Sequence, residues 1–209
     1  MYKKAISILG KKGGSGKSTT SHMLALGLSK LGIRAILLTT DNDRKSLRDE
    51  NRPYSTYGAQ TSENLKKALE AFGRLDTSTI PSVLIVDGGG NREGVDNLFA
   101  EFSDLILLPF RDSEEDIRVV SADLQRLPEA MALPSCWTTN HFAIASAQQV
   151  LAHMQSKFPG RVMQPISNCR ASQKLLAEDF LNVDPQVTII SKALAEQTMN
   201  KLSINIYQK

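Results

Sequence analysis

The chain has 209 residues, 41% of them hydrophobic and 22% charged, with a formal net charge of +3. That balance describes one ordinary globular domain, too apolar and too evenly charged for disorder, and only basic enough to permit nucleic acid or an anionic surface. Cys136 and Cys169 lack metal-ligand or CxxC spacing and no apolar run reaches membrane-spanning length, so reduced thiols in a cytoplasmic protein are expected.

Apolar runs of strand length alternate with helix-patterned segments along the chain. The first run, Ala5–Leu9, leads through a glycine-rich stretch into a helical pattern over Ser21–Leu31, and Gly32 introduces a second strand, Ile33–Thr40. From Asp41 to Thr61 there is little periodicity, which predicts a long loop with at most a short helix. A helix over Ser62–Phe72, with Ser62 as N-cap, precedes a third strand, Val83–Val86, that closes at Asp87 and three glycines. Val95–Phe102 predicts a short helix, Leu105–Leu108 a strand stopped by Pro109, and Ser113–Leu127 a helix with acids in its first turn. A strand near Ser135–Thr139, a helix over Ala143–Phe158 and a last strand, Arg161–Ile166, follow. Two further helices are expected, Ser172–Leu181 and one from Pro185 towards Leu202, the latter opened by Asp184 as N-cap and Pro185 as first residue. The pattern predicts an α/β fold, a mostly parallel twisted sheet with helices on both faces, as a single domain over 1–209. Ligands of such sheets bind at the carboxyl ends of the strands.

The chemistry gathers at the first of those ends. Gly10–Lys11–Lys12–Gly13–Gly14–Ser15–Gly16–Lys17–Ser18–Thr19 lies between a strand and a helix start, the context of a phosphate-binding loop. Glycines let backbone N–H groups converge on phosphate oxygens, Lys17 reaches the outer phosphates, and the Ser18 hydroxyl is placed for Mg²⁺. Asp87, at the end of an apolar strand, is the matching carboxylate for the same metal. A plain turn would account for either stretch alone, but the two together favour ATP with Mg²⁺.

Lys12, directly before paired glycines, departs from the ordinary loop pattern. Lys12–Thr19 resembles the deviant Walker A motif of the ParA/MinD family of ATPases, and Val83–Gly88 resembles that family's Walker B segment. The resemblance implies a P-loop NTPase fold and an ATP-dependent homodimer in which Lys12 reaches the nucleotide of the other subunit. It implies ATP held by Gly13, Gly14, Ser15, Gly16, Lys17, Ser18 and Thr19, with Asn140 on the base and Ser18 and Asp87 on the metal. Family members carry an Asp-x-Asp-Pro-Gln run after the second strand; here Thr39–Thr40–Asp41–Asn42–Asp43 stands instead, without Pro-Gln. With the strands aligned, Thr39 takes the first aspartate's place and Asp41 that of the second, water-aligning one; a one-pair shift gives Asp41 and Asp43 those places, and Asp41 is the favoured carboxylate, Asp43 reading as a solvated loop residue. The altered run puts the rate of hydrolysis in question more than nucleotide binding. Asp116 falls where many members carry an aspartate, and an ordinary acid at a helix start reads equally well.

ParA-like proteins bind nonspecific DNA through basic residues of their C-terminal part, and Arg170 with Lys174 has helical spacing for one face. No terminal amphipathic helix suggests a membrane, so DNA is the preferred surface, with nucleoid association open. The resemblance implies a ParA-like switch that positions or segregates a plasmid or other cargo, with slow hydrolysis raised by a small DNA-binding adaptor. Rival readings are a small-molecule phosphotransferase or ligase of the dethiobiotin synthetase type, and a non-hydrolysing nucleotide-binding scaffold linked to conjugation.

Overall fold

The computed structural model describes residues 1–40, 51–59, 61–88, 99–177, 180 and 182–205. Among them six strands make one parallel sheet: β1 Lys3–Ile8, β2 Arg34–Thr39, β3 Ser55–Gly58, β4 Ser82–Asp87, β5 Leu105–Phe110 and β6 Ala130–Pro134. Their spatial order is β3-β2-β4-β1-β5-β6, which seats β1 between β4 and β5. Helices among the described residues include α1 Lys17–Lys30, α2 Ser62–Arg74, α3 Glu114–Arg126, α4 His141–Lys157 and α5 Pro185–Lys201, with a 3-10 helix at Arg170–Leu176.

Strand residues alternate between two cores, as a sheet covered on both faces requires. Ile6, Ile8, Leu37, Ile85 and Leu107 face the layer of α1, α5 and the 3-10 helix. Ala5, Leu38, Leu84, Val86 and Ile106 face the layer that holds α2, α3 and α4. In the first layer α1 crosses α5 at Gly27, where a Cβ would fall 1.9 Å from the carbonyl oxygen of Ser191. Glycine there lets two helix backbones touch.

Several expectations need correction. The stretch read as a loop up to Thr61 contains β3, an edge strand whose residues are too polar to betray a buried face. Pro109 does not stop β5. It pairs with Leu133 of β6, beyond Leu107, the last residue of β5 paired with β1, so its missing N–H falls where the strand has one neighbour. The strand expected at Ser135–Thr139 is instead β6, which ends at Pro134. Arg161–Ile166 runs beside β6 as isolated bridges rather than a strand: Ala132 pairs with Val162, Pro165 has no N–H to give, and the pairing resumes where the Ile166 N–H donates to the Pro134 carbonyl at 2.8 Å and Trp137 bridges to Ser167. Thr61 rather than Ser62 caps α2, its hydroxyl accepting the Asn64 N–H at 3.2 Å. Asp184 caps α5 with Pro185 in its first turn, as expected. Of Val95–Phe102 and Ser172–Leu181, residues 95–98, 178, 179 and 181 lie outside the described residues.

Candidate nucleotide-binding site

The carboxyl ends of β1, β2 and β4 lie side by side. Asp87 is in register with Ile8 on one side and Thr39 on the other. Thr40 donates both its backbone N–H, at 3.2 Å, and its hydroxyl, at 3.0 Å, to the Asp87 carbonyl, which fixes the strand end. The Asp87 side chain is buried at the mouth of the phosphate loop's strand. Asp41 follows Thr40 directly but lies outside the described residues, as does Asp43.

The loop from Gly10 to Gly16 turns into α1 through left-handed residues. Gly14 has φ 76° and Gly16 has φ 94°, a conformation a Cβ would strain by about 1–3 kcal/mol. Gly16 is the N-cap of α1, so no side chain caps the helix, and no acid occupies its first turn. The first N–H groups and the positive end of the helix are thereby left for an anion. Among the described residues, the Ser15 hydroxyl is buried and has no hydrogen-bond partner. An uncapped helix start beside a buried, unmatched hydroxyl and the Lys17 ammonium is a donor set that fits phosphate. Lys17 is itself buried, its Nζ donating to the Lys12 carbonyl at 2.8 Å, while Ser18 and Thr19 are half-buried on the first turn. These residues would hold ATP, and Ser18 with Asp87 would hold Mg²⁺.

Sequence reasoning missed Ser135. Its hydroxyl reaches both the Ser15 carbonyl, at 2.9 Å, and the Phe110 carbonyl, at 3.2 Å, and so ties the loop to β5 and β6. Cys136, beside it, adopts φ 51° and brings its sulfur within 3.9 Å of where a Gly16 Cβ would stand. A serine after a misplaced strand end carries no signal that it will meet a loop 120 positions away. Asn140 has a structural task of its own. It caps α4, its Oδ1 accepting the Phe142 N–H at 3.0 Å, and is exposed.

Lys12 is engaged within its own chain. Its Nζ lies 2.7 Å from Glu115 Oε2 and 2.8 Å from Asp116 Oδ1, both at the start of α3. The carboxylates of Asp116 and then Glu115, paired with it, hold the ammonium above its ordinary lysine range. Its share of stability is therefore complete below the unfolded lysine pKa and is lost as pH rises through the folded value. Asp116, for which a family position and a plain helix-start acid read equally well, is thus joined to the phosphate loop.

Arg170 and Lys174 are both exposed, but on a 3-10 helix. Four residues at three per turn separate them by about 120°, so they do not share one face as α-helical spacing implied. The helix itself is anchored from below: Arg52 donates from Nη1 to the Leu175 carbonyl at 2.8 Å and from Nη2 to that of Ala177. Its guanidinium also lies over the Phe180 ring, 4.9 Å from the centroid.

A family model described as the CobQ/CobB/MinD/ParA nucleotide binding domain matches residues 6–204. The chain belongs to that family. No curated protein matches it. Among solved structures, a protein of Borrelia burgdorferi B31 assigned to plasmid partition, bound to AMPPNP, is similar at 15% identity and TM-score 0.66, covering 95% of this chain and 99% of that one. MinD of Pyrococcus horikoshii OT3, complexed with Mg-ADP, is similar at 15% identity and TM-score 0.61, covering 94% and 96%. ParA of pNOB8, bound to nonspecific DNA, is similar at 13% identity and TM-score 0.65, covering 96% and 98%. At these identities the likeness is one of fold, and the fold is that of the ParA/MinD-type P-loop proteins.

Proposed function

We propose that the chain is a ParA-like ATPase, acting as one domain, whose nucleotide state controls pairing of two subunits and through it the positioning of a plasmid or other cargo. The observation that carries the reading is the bare start of α1: no side-chain cap, no acid in the first turn, and a buried Ser15 hydroxyl without a partner. ATP supplies the anion; Gly13, Gly14, Ser15, Gly16, Lys17, Ser18 and Thr19 bind and orient its phosphates, and Ser18 and Asp87 hold Mg²⁺. Positioning and charge neutralisation, rather than covalent chemistry, supply catalysis of phosphoryl transfer to water. Lys12 adds positive charge to the phosphates of the opposite subunit, and Asp41 aligns the attacking water. Asn140 contacts the base through the part of its amide not used as a helix cap.

The paired form binds DNA without sequence preference through exposed basic residues including Arg170 and Lys174, in the cytoplasm and on the nucleoid, and a small DNA-binding adaptor accelerates hydrolysis. Among the described residues no helix is long and apolar enough to cross a membrane. Retention on nonspecific DNA should require ATP and fall steeply with salt. Arg170→Glu or Lys174→Glu should each weaken it and lower the salt slope by about 1; unchanged retention at low salt removes that residue from the surface. An ATPase assay with and without DNA tests the enzyme. A rate that stays at background in both, with tight ATP binding, leaves the non-hydrolysing scaffold as the reading.

A further inference from the structure

We propose that Glu115 and Asp116 hold Lys12 inside its own subunit, as a restraint that must open before two subunits can pair around ATP. The inference rests on the cross-subunit role of Lys12 given above and adds what regulates it.

The two acids contribute unequally. Glu115 is 65% exposed, so water and salt weaken its pull on the ammonium. Asp116 is 3% exposed at the side chain, and a carboxylate buried that deeply is costly without a cation beside it. Lys12 is therefore the charge partner on which Asp116 depends. The neighbouring backbone is drawn the same way, since the Lys11 N–H points at Asp123 Oδ2 from 3.4 Å. Asp116 and Asp123 are seven residues apart, two turns of helix, and so lie on one face of α3. That face grips residues 11 and 12 of the phosphate loop, with a cavity of only about 10 Å³ left between loop and helix. An ammonium held by two carboxylates has its charge already matched and two of its three N–H donors directed into its own chain, so the acids compete with a phosphate of another chain for it. Pairing must therefore spend part of its free energy on separating Lys12 from Asp116, which lowers the fraction of subunits ready to pair.

Two measurements on the full chain test this. The first reads the restraint without any pairing: acylation of Lys12 by acetic anhydride in the nucleotide-free protein, followed by peptide mass spectrometry. An ion-paired ammonium keeps its proton and reacts slowly, so Asp116→Asn should raise the rate at Lys12 several-fold while surface lysines such as Lys67 keep theirs. An unchanged Lys12 rate overturns the proposal whatever the oligomeric state. The second is the AMPPNP concentration that half-converts the protein to dimer. Asp116→Asn, and the exposed Glu115→Gln, which carries little risk to folding, should lower it several-fold, with nucleotide affinity of dilute monomer unchanged. A higher or equal concentration overturns the restraint and makes the acids orienting groups for the paired state. If wild type and variants all remain monomeric while the acylation result holds, the dimer reading falls and Lys12 is held for another purpose.

Discussion

At the residue scale the loop depends on few atoms, and each can be removed singly. Lys17→Ala takes away the buried cation at the start of α1, and should abolish binding of a fluorescent ATP analogue while leaving the melting temperature near that of wild type. Retained binding would remove Lys17 from the site. Ser135→Ala deletes one hydroxyl that braces the Ser15 carbonyl, a bond of about 1 kcal/mol. A corresponding loss of about five-fold in nucleotide affinity is expected by titration. Asp87→Asn should leave ATP bound but make its affinity indifferent to Mg²⁺, read by titrating the metal. The glycines, Lys17, Ser18 and Asp87 were legible in the sequence because a strand, a turn and a helix start are local and adjacent. The brace from Ser135 and the grip of Asp116 on Lys12 were not, because each joins positions more than 100 residues apart. An acid in a first turn looks the same whether it faces water or a lysine.

At the element scale two contacts hold the layer beneath the site. Gly27 lies in α1, the helix that the phosphate loop starts, and packs against the Ser191 carbonyl of α5. Alanine would gain about 1 kcal/mol of helix propensity, but its Cβ has no room against backbone, and such overpacking costs about 1–3 kcal/mol. With the added carbon 1.9 Å from an oxygen the upper end applies, and Gly27→Ala should lower the urea midpoint. A raised midpoint would contradict the packing. The second contact runs from α1 through His22, whose Nδ1 lies 2.8 Å from the Tyr54 hydroxyl, to Arg52 and the end of the 3-10 helix. Arg52→Met keeps the bulk but leaves the Leu175 and Ala177 carbonyls unmatched, a loss of about 2–3 kcal/mol in chemical denaturation. Local signals revealed α3 and α5, which Ser113 and Asp184 cap, and the glycine-rich turn marked the start of α1. Periodicity failed for β3, which lies at the sheet edge and needs no continuous apolar run, and for β6, where Pro134 and Ser135 blur the strand end.

For the whole molecule, the strand order places β1, and with it the phosphate loop that follows, inside the sheet between β4 and β5. Alternating apolar strands made that architecture readable without coordinates, since both faces of every central strand must be covered. What the alternation does not encode is how two such molecules would meet, and for that the account depends on Lys12. The most direct measurement is the mass in solution, by light scattering, of the chain with AMPPNP and Mg²⁺, with ADP, and with neither. Twice the 23.0 kDa of one chain is expected with AMPPNP and Mg²⁺ alone, and it should be lost again in Lys12→Ala. A mass that stays at one chain in all three states, with AMPPNP shown to be bound, would contradict it.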